Sequence, residues 1–308
     1  DQANITSYGA AIVAIMTLEA FAGMWINAFI VSVICMAGVQ KKSLNSNEKI
    51  LLFLGCSRFW HLCFSWLYSV LSIIFPHSSK VQSMYTPILS IQGFFECSNL
   101  WASVCLSVFY CVKIANFRNS FFICLKVKID RIVPWLLLGS VLLALPIGIL
   151  VYKIAGKELC NNSTHQGNFS KVCIKTNDGI FPIYFIYGFG YVVSFTAVIF
   201  SALLLLFSLW RHKCNMQRNS MKDLSMDAHI KAMKSILSFL VMYSINFVFL
   251  ILTMNSSMNK ENAITFLIYM CMYAFPAVHS LLLIFSNPKL EKTFLSILLC
   301  LKCKVCLR

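Results

Sequence analysis

Between Ile88 and Val112 the chain carries one ionisable side chain, Glu96, in a run that is otherwise mostly apolar. The polar residues around it keep helical step. Gln92, Glu96, Asn99, Ser103, Ser107 and Tyr110 follow one another at intervals of four, three, four, four and three. At ~100° per residue all six fall within a stripe about 80° wide. A carboxyl, two carboxamides and three hydroxyls on one face offer hydrogen bonds and one negative charge. They do not supply a serine, a histidine and an acid at one common depth, so they suit binding better than nucleophilic catalysis. The rest of the chain has no glycine-rich phosphate loop, HExxH or GxSxG. Cys300, Cys303 and Cys306 have a regular spacing but no second cluster to complete a metal site. An enzyme, a resident metal and a cofactor are not expected.

The element that holds this stripe must span a membrane. Twenty-five residues at ~1.5 Å each exceed the ~30 Å hydrocarbon core. Hydrophobic residues make up 59% of the chain and charged residues 12%, about half the charged share of a soluble domain. Unpaired polar groups are costly in lipid, so the stripe looks inward, onto other helices or a wet cleft. Apolar runs of spanning length occur at about 9–36, 50–75, 87–112, 132–152, 181–209, 235–254 and 263–286. The expected fold is therefore all-α, one seven-helix membrane domain over residues 1–308. No charged n-region precedes an apolar core, so the first span is expected to direct insertion itself.

Lysine and arginine set the orientation. Segments 37–49, 113–131, 210–234 and 287–308 hold 3, 5, 6 and 5 of them, whereas the N-terminus and segments 76–86, 153–180 and 255–262 hold 0, 1, 4 and 1. The N-terminus is thus expected outside, with the C-terminus and the basic loops in the cytoplasm. The net charge of +15 is then an orientation signal and a surface for cytoplasmic partners, not a nucleic-acid stripe. Glycosylation acceptor patterns begin at Asn4, Asn161, Asn162, Asn168 and Asn255, all on the expected outer side. Asn161, Asn162 and Asn168 cluster in the longest outer loop and rank first. Cys160 and Cys173 share that polar loop; they form a disulfide in an oxidising compartment or remain two free thiols.

Polar residues recur inside other spans. Glu19, Gly23 and Asn27 repeat every fourth residue, and Arg58, His61, Ser65 and Ser69 share a face of the second span. A buried arginine needs acceptors from neighbouring helices, for which Asn27 and backbone carbonyls of the last span are the natural choice. Arg58 is then either a packing staple or part of a switch network with Asn27, Pro276, His279 and Ser280. Pro276 is expected to kink the last span. Beyond Asn287-Pro288-Lys289, the apolar stripe Leu290, Phe294, Ile297, Leu298 and Leu301 reads as an amphipathic helix over about 289–301 on the inner leaflet. Cys300, Cys303 and Cys306 beside Lys302 and Lys304 fit palmitoylation.

The motifs carry a resemblance. FYCVKIANF at 109–117 and FPAVHSLLLIFSNPKL at 275–290 stand where rhodopsin-like receptors have DRY and NPxxY. With Glu19-x3-Gly23-x3-Asn27, LGCSR at 54–58, SLWRH at 208–212 and AHIKAMKS at 228–235, they closely resemble the bitter taste receptors, taste receptor type 2. The match covers about residues 19–290. It implies a plasma-membrane G-protein-coupled receptor. A small bitter molecule would bind an external cleft, and a Gi-type, gustducin-like G protein would couple at the cytoplasmic side. By position, the cleft residues would be Gln92, Glu96 and Asn99 on helix three, Phe185 and Phe189 on five, Tyr243 and Asn246 on six, and Tyr269 on seven. Coupling would fall to Tyr110, Lys113, Arg118, His212, Lys231, Lys234 and Lys289, most of which snorkelling positive-inside charge would also explain. Three residues depart from the family pattern: Gln92 where Trp is frequent, Glu96 where Asn is frequent, and Ser194 in place of the helix-five proline. Glu96 is expected either to pair with protonated amines of alkaloid-like ligands or to be a neutral acid hydrogen-bonded to Gln92 or Asn99. The other class of reading is a seven-helix transporter or scaffold without a G protein, which the lack of internal repeats opposes.

Overall fold

The computed structural model describes residues 2–74, 79–115, 119–163, 181–218, 237–238, 240–249, 251–252 and 263–306. They form helices α1 (Gln2–Lys41), α2 (Ser46–Ile74), α3 (Ser79–Ile114), α4 (Ser120–Ser163) and α5 (Phe181–Arg218). α6 (Leu240–Phe249), α7 (Ala263–Ser286) and α8 (Pro288–Cys306) complete the order. Among the described residues, five stretches are long and apolar enough to cross a membrane: Val13–Lys41, Ser46–Leu71, Met84–Ile114, Ser120–Ile154 and Gly188–Arg211. α6 and the Tyr273–Ser286 part of α7 are shorter apolar helices.

The helices outrun the apolar runs. α3 begins at Ser79 and takes Pro87 inside it; α4 begins at Ser120, so residues 120–131, expected as loop, are helical. Cys160, Asn161 and Asn162, also expected in a loop, belong to the last turns of α4. Hydrocarbon thickness limits the apolar run, not the helix, which continues wherever water or headgroups solvate its polar side chains.

α3 is the axle, packing against α2, α4 and α5, while α1 packs between α2 and α7. The main core gathers Ile30, Ile50, Leu54, Leu106, Val133 and Ile284 from α1, α2, α3, α4 and α7. α8 closes it from below: Leu290 and Phe294 are buried, and the Phe294 ring meets Phe29 edge-on at 5.4 Å and Phe285 at 5.9 Å. Ile297 and Leu298 of the expected stripe stay exposed, available to a lipid surface. Asn287 starts α8, its Oδ1 accepting from the backbone N–H of Lys289 at 3.1 Å, with Pro288 at the first helical position. The α1–α2 turn is fixed similarly. Lys42 takes φ 57°, and Glu48 reaches back to accept from the Asn45 N–H at 3.0 Å, a capping box.

Candidate functional site

Arg58 anchors the middle of the bundle and is 1% exposed. Its guanidinium donates through Nε to Asn99 Oδ1 at 2.9 Å and through Nη1 to Ser280 Oγ at 2.9 Å, and Nη2 lies 2.5 Å from His279 Nδ1. Ser280 in turn donates to Asn27 Oδ1 at 2.8 Å, and the Asn27 amide donates to the Gly23 carbonyl at 2.8 Å. One planar, always-charged fork thus ties α2 to α3 and α7, with α1 reached through a relay. The expectation of Asn27 and backbone carbonyls as acceptors needs correction. Three side chains do that work, and Asn27 is one step removed. Pro276 is buried inside α7 one turn before His279.

One turn along α3 from Asn99 stands Glu96, whose Oε1 accepts a hydrogen bond from the Tyr191 hydroxyl of α5. Neither Gln92 nor Asn99 serves it, as the neutral-acid alternative required. Gln92 Oε1 is buried with no hydrogen-bond partner among the described residues. So is His61 Nδ1, on an imidazole near the Gln92 backbone and the Glu96 carboxyl. Tyr243 of α6, 5% exposed, holds its ring 6.2 Å from Phe195 and its hydroxyl near Ser194 and Arg58.

Further along α2 lies a third polar layer. The Tyr273 hydroxyl is 2.6 Å from Ser69 Oγ and donates to the Ser65 carbonyl at 2.8 Å, while Trp66 Nε1 donates to Thr17 at 3.1 Å.

Of the expected cleft residues, the structure therefore brings Gln92 and Glu96 together, puts Asn99 at the seam with the Arg58 network, and buries Tyr243 near Ser194 and Arg58. Phe189 is a correction. It is 65% exposed and two residues from Tyr191, which turns it to the outer face of α5. Asn246 is half-buried with no polar contact assigned. Phe185 and Tyr269 lie in α5 and α7 with side chains outside the described set. Tyr191 and His61 were not among the expected cleft residues. Tyr184, Tyr187, Tyr191, Ser194, Ser201 and Ser208 step along helix five by three, four or seven, and that periodicity marked Tyr191 as inward.

At the basic end, Tyr110 packs against Phe109 and the small cluster of Ala115, Leu205 and Leu209. Lys113 Nζ bonds Asp130 Oδ2 at 2.5 Å, joining the end of α3 to α4. Lys289 Nζ lies 3.3 Å and Lys41 Nζ 3.7 Å from Glu48 Oε1. His212 lies in α5 with its side chain outside the described set, and Arg118, Lys231, Lys234, Asn168 and Cys173 lie outside the described residues altogether.

The described residues form an all-helical, multi-pass membrane bundle with an arginine fork at its centre and the Glu96 carboxyl one layer away. Comparison with known proteins gives the family. The profile of the taste receptor protein family (TAS2R) matches residues 6–302. The chain is 30% identical over 298 residues to human taste receptor type 2 member 2, covering 94% of this chain and 96% of that protein. It is 31% identical over 291 residues to chicken taste receptor type 2 member 40, covering 92% and 93% respectively. Against human taste receptor type 2 member 9 the identity is 31% over 292 residues, 91% of both chains. The chain belongs to the taste receptor type 2 family: a multi-pass, G-protein-coupled receptor of the bitter-taste type, a family of receptors and not of enzymes.

Proposed function

We propose that this receptor binds small bitter molecules in the layer of Glu96, Gln92, Tyr191 and His61, and passes the event to a Gi-type, gustducin-like G protein. Asn99 carries the proposal, because it sits between the two layers. It lies one turn from Glu96 on α3 and accepts from Arg58 Nε at 2.9 Å. A ligand that draws on Glu96 pulls on the element that also positions the fork to α7, and packed networks of this kind hold two discrete arrangements rather than a continuum. The receptor sits in the plasma membrane with its binding layer outside and its basic end in the cytoplasm, an orientation that the asymmetry of lysine and arginine supports. Agonist-dependent nucleotide exchange on a co-expressed Gi-type protein tests the reading; substrate flux without exchange would replace it with a transporter. An antibody to the C-terminal segment should stain cells only after permeabilisation.

Lys113 and Asp130 lie at the coupling end in this orientation. Their side chains are 43% and 53% exposed, so the pair contributes under about 1 kcal/mol to stability. Lys113→Asp is expected to weaken exchange while leaving surface expression near normal. Lys113→Asp with Asp130→Lys should recover part of the loss, since the pair is restored in reverse while Lys49 then faces a like charge. An unrecovered double variant together with normal exchange in Asp130→Ala would show that Lys113 meets the G protein itself.

A further inference from the structure

We propose that the Glu96 layer selects cations carrying two or more N–H donors, such as primary ammonium, amidinium or guanidinium groups, over quaternary ammonium and over neutral amides. The inference deepens the binding role proposed above and rests on it. Three features of the layer lead to it.

First, the groups left open are acceptors. Tyr191 occupies Oε1 of Glu96, leaving the second carboxylate oxygen for another donor. Gln92 Oε1 is a pure acceptor, buried and unpartnered among the described residues. The His61 imidazole stands near the Gln92 backbone and the Glu96 carboxyl. A neutral imidazole has one acceptor nitrogen, and Nδ1 of this ring is buried without a partner among the described residues.

Second, no protein cation among the described residues pairs with the Glu96 carboxyl. Arg58, the charge nearest in the bundle, has Nε, Nη1 and Nη2 committed to Asn99, Ser280 and His279. The lysines with assigned ion pairs, Lys41, Lys113 and Lys289, serve Glu48 and Asp130 at the basic end. Glu96 is half-buried, and a carboxylate inside the bundle without a counterion favours any ligand that brings one.

Third, charge alone does not satisfy this layer. A trimethylammonium group supplies the positive charge but no N–H, and so leaves Gln92 Oε1 and His61 Nδ1 as they were. An amidinium or primary ammonium bridges the carboxylate and a neutral acceptor together, and hydrogen bonds to charged groups are the strong ones.

The test uses the full-length receptor with two readouts, thermal stabilisation of the purified protein and nucleotide exchange on a Gi-type protein. The probes are benzamidine, phenethylamine, its trimethylammonium analogue and benzamide. Benzamidine and phenethylamine are expected to bind about tenfold or more tightly than the trimethylammonium analogue, the size expected for one charge-assisted hydrogen bond. Benzamide should bind more weakly still. Glu96→Gln should flatten the ranking, and Gln92→Met should narrow the gap between phenethylamine and its trimethyl analogue. Tyr191→Phe, which keeps the carboxylate, should preserve the order. Equal binding of the trimethylammonium and primary amine probes, or an unchanged ranking in Glu96→Gln, overturns the inference. Exchange driven by neutral bitter compounds but by none of the cations overturns it too, and leaves the receptor reading intact. The expected binding order without any exchange removes the receptor reading and leaves the selectivity standing.

Discussion

Arg58→Met should lose agonist-driven exchange and strongly destabilise the solubilised receptor. The side chain is buried and contacts three acceptors on two other helices. Methionine fills much of the volume but leaves Asn99 Oδ1, His279 Nδ1 and Ser280 without their donor. Removing one member of a buried charged network costs about 3–5 kcal/mol, because the remaining polar groups stay desolvated. Arg58→Lys should rescue only partly, since a compact ammonium cannot reproduce a planar fork that reaches two helices together. Fluorescence-detected size exclusion after heating in detergent measures the effect. A triple variant that also makes Asn99→Leu and Ser280→Ala should regain part of the stability lost in Arg58→Met, as two of the three stranded acceptors are gone while His279 Nδ1 stays and Asn27 Oδ1 loses its Ser280 donor. That recovered protein should still fail to signal. A signalling triple variant would demote Arg58 from switch to packing.

Gly148→Val should be the most damaging of the glycine substitutions. A Cβ there meets the Ser90 backbone oxygen at 3.2 Å and the Phe94 Cβ at 3.3 Å, and Ser90 Oγ donates to the Gly148 carbonyl at 2.7 Å. Two helices come this close in a membrane only where a residue has no side chain. A backbone oxygen cannot turn aside, so α3 and α4 must separate. The expected loss is about 1–3 kcal/mol from overpacking and about 1 kcal/mol more from the broken hydrogen bond. Gly23→Ala should cost less, because the nearest atom is the Leu62 Cδ1 at 2.7 Å, the free end of a side chain. Gly139→Val is the control: nothing lies within 4 Å of a Cβ there. The same heating assay should rank them 148, 23, 139. Equal losses at all three positions would show that helix propensity, not the α3–α4 approach, decides.

The spacing of polar residues revealed faces but not partners. The helix-three stripe placed Gln92, Glu96 and Asn99 inward from periodicity alone, and Arg58 in an apolar span demanded acceptors on physical grounds. Periodicity could not say that Asn99 would face Arg58 while Glu96 would meet Tyr191, because rotation about the axis and the height of neighbouring helices come from packing. Phe189 shows the reverse failure. Family position put it in the cleft, whereas its two-residue offset from Tyr191 puts it on the outside. Helix ends were the least legible feature: apolarity reports where lipid stops, and α4 runs on through polar sequence at both ends.

Glu48 carries more than Asp130, which has Lys113 bonded to it and Lys49 nearby. It caps its own helix through the Asn45 N–H and has two lysines beside one oxygen, from the end of α1 and the start of α8. A sign exchange between positions 48 and 289 would therefore not be neutral, since it would strand Lys41 beside a like charge and uncap α2 in the same step. Three chain segments vote through a single carboxylate, and none can be recharged in isolation.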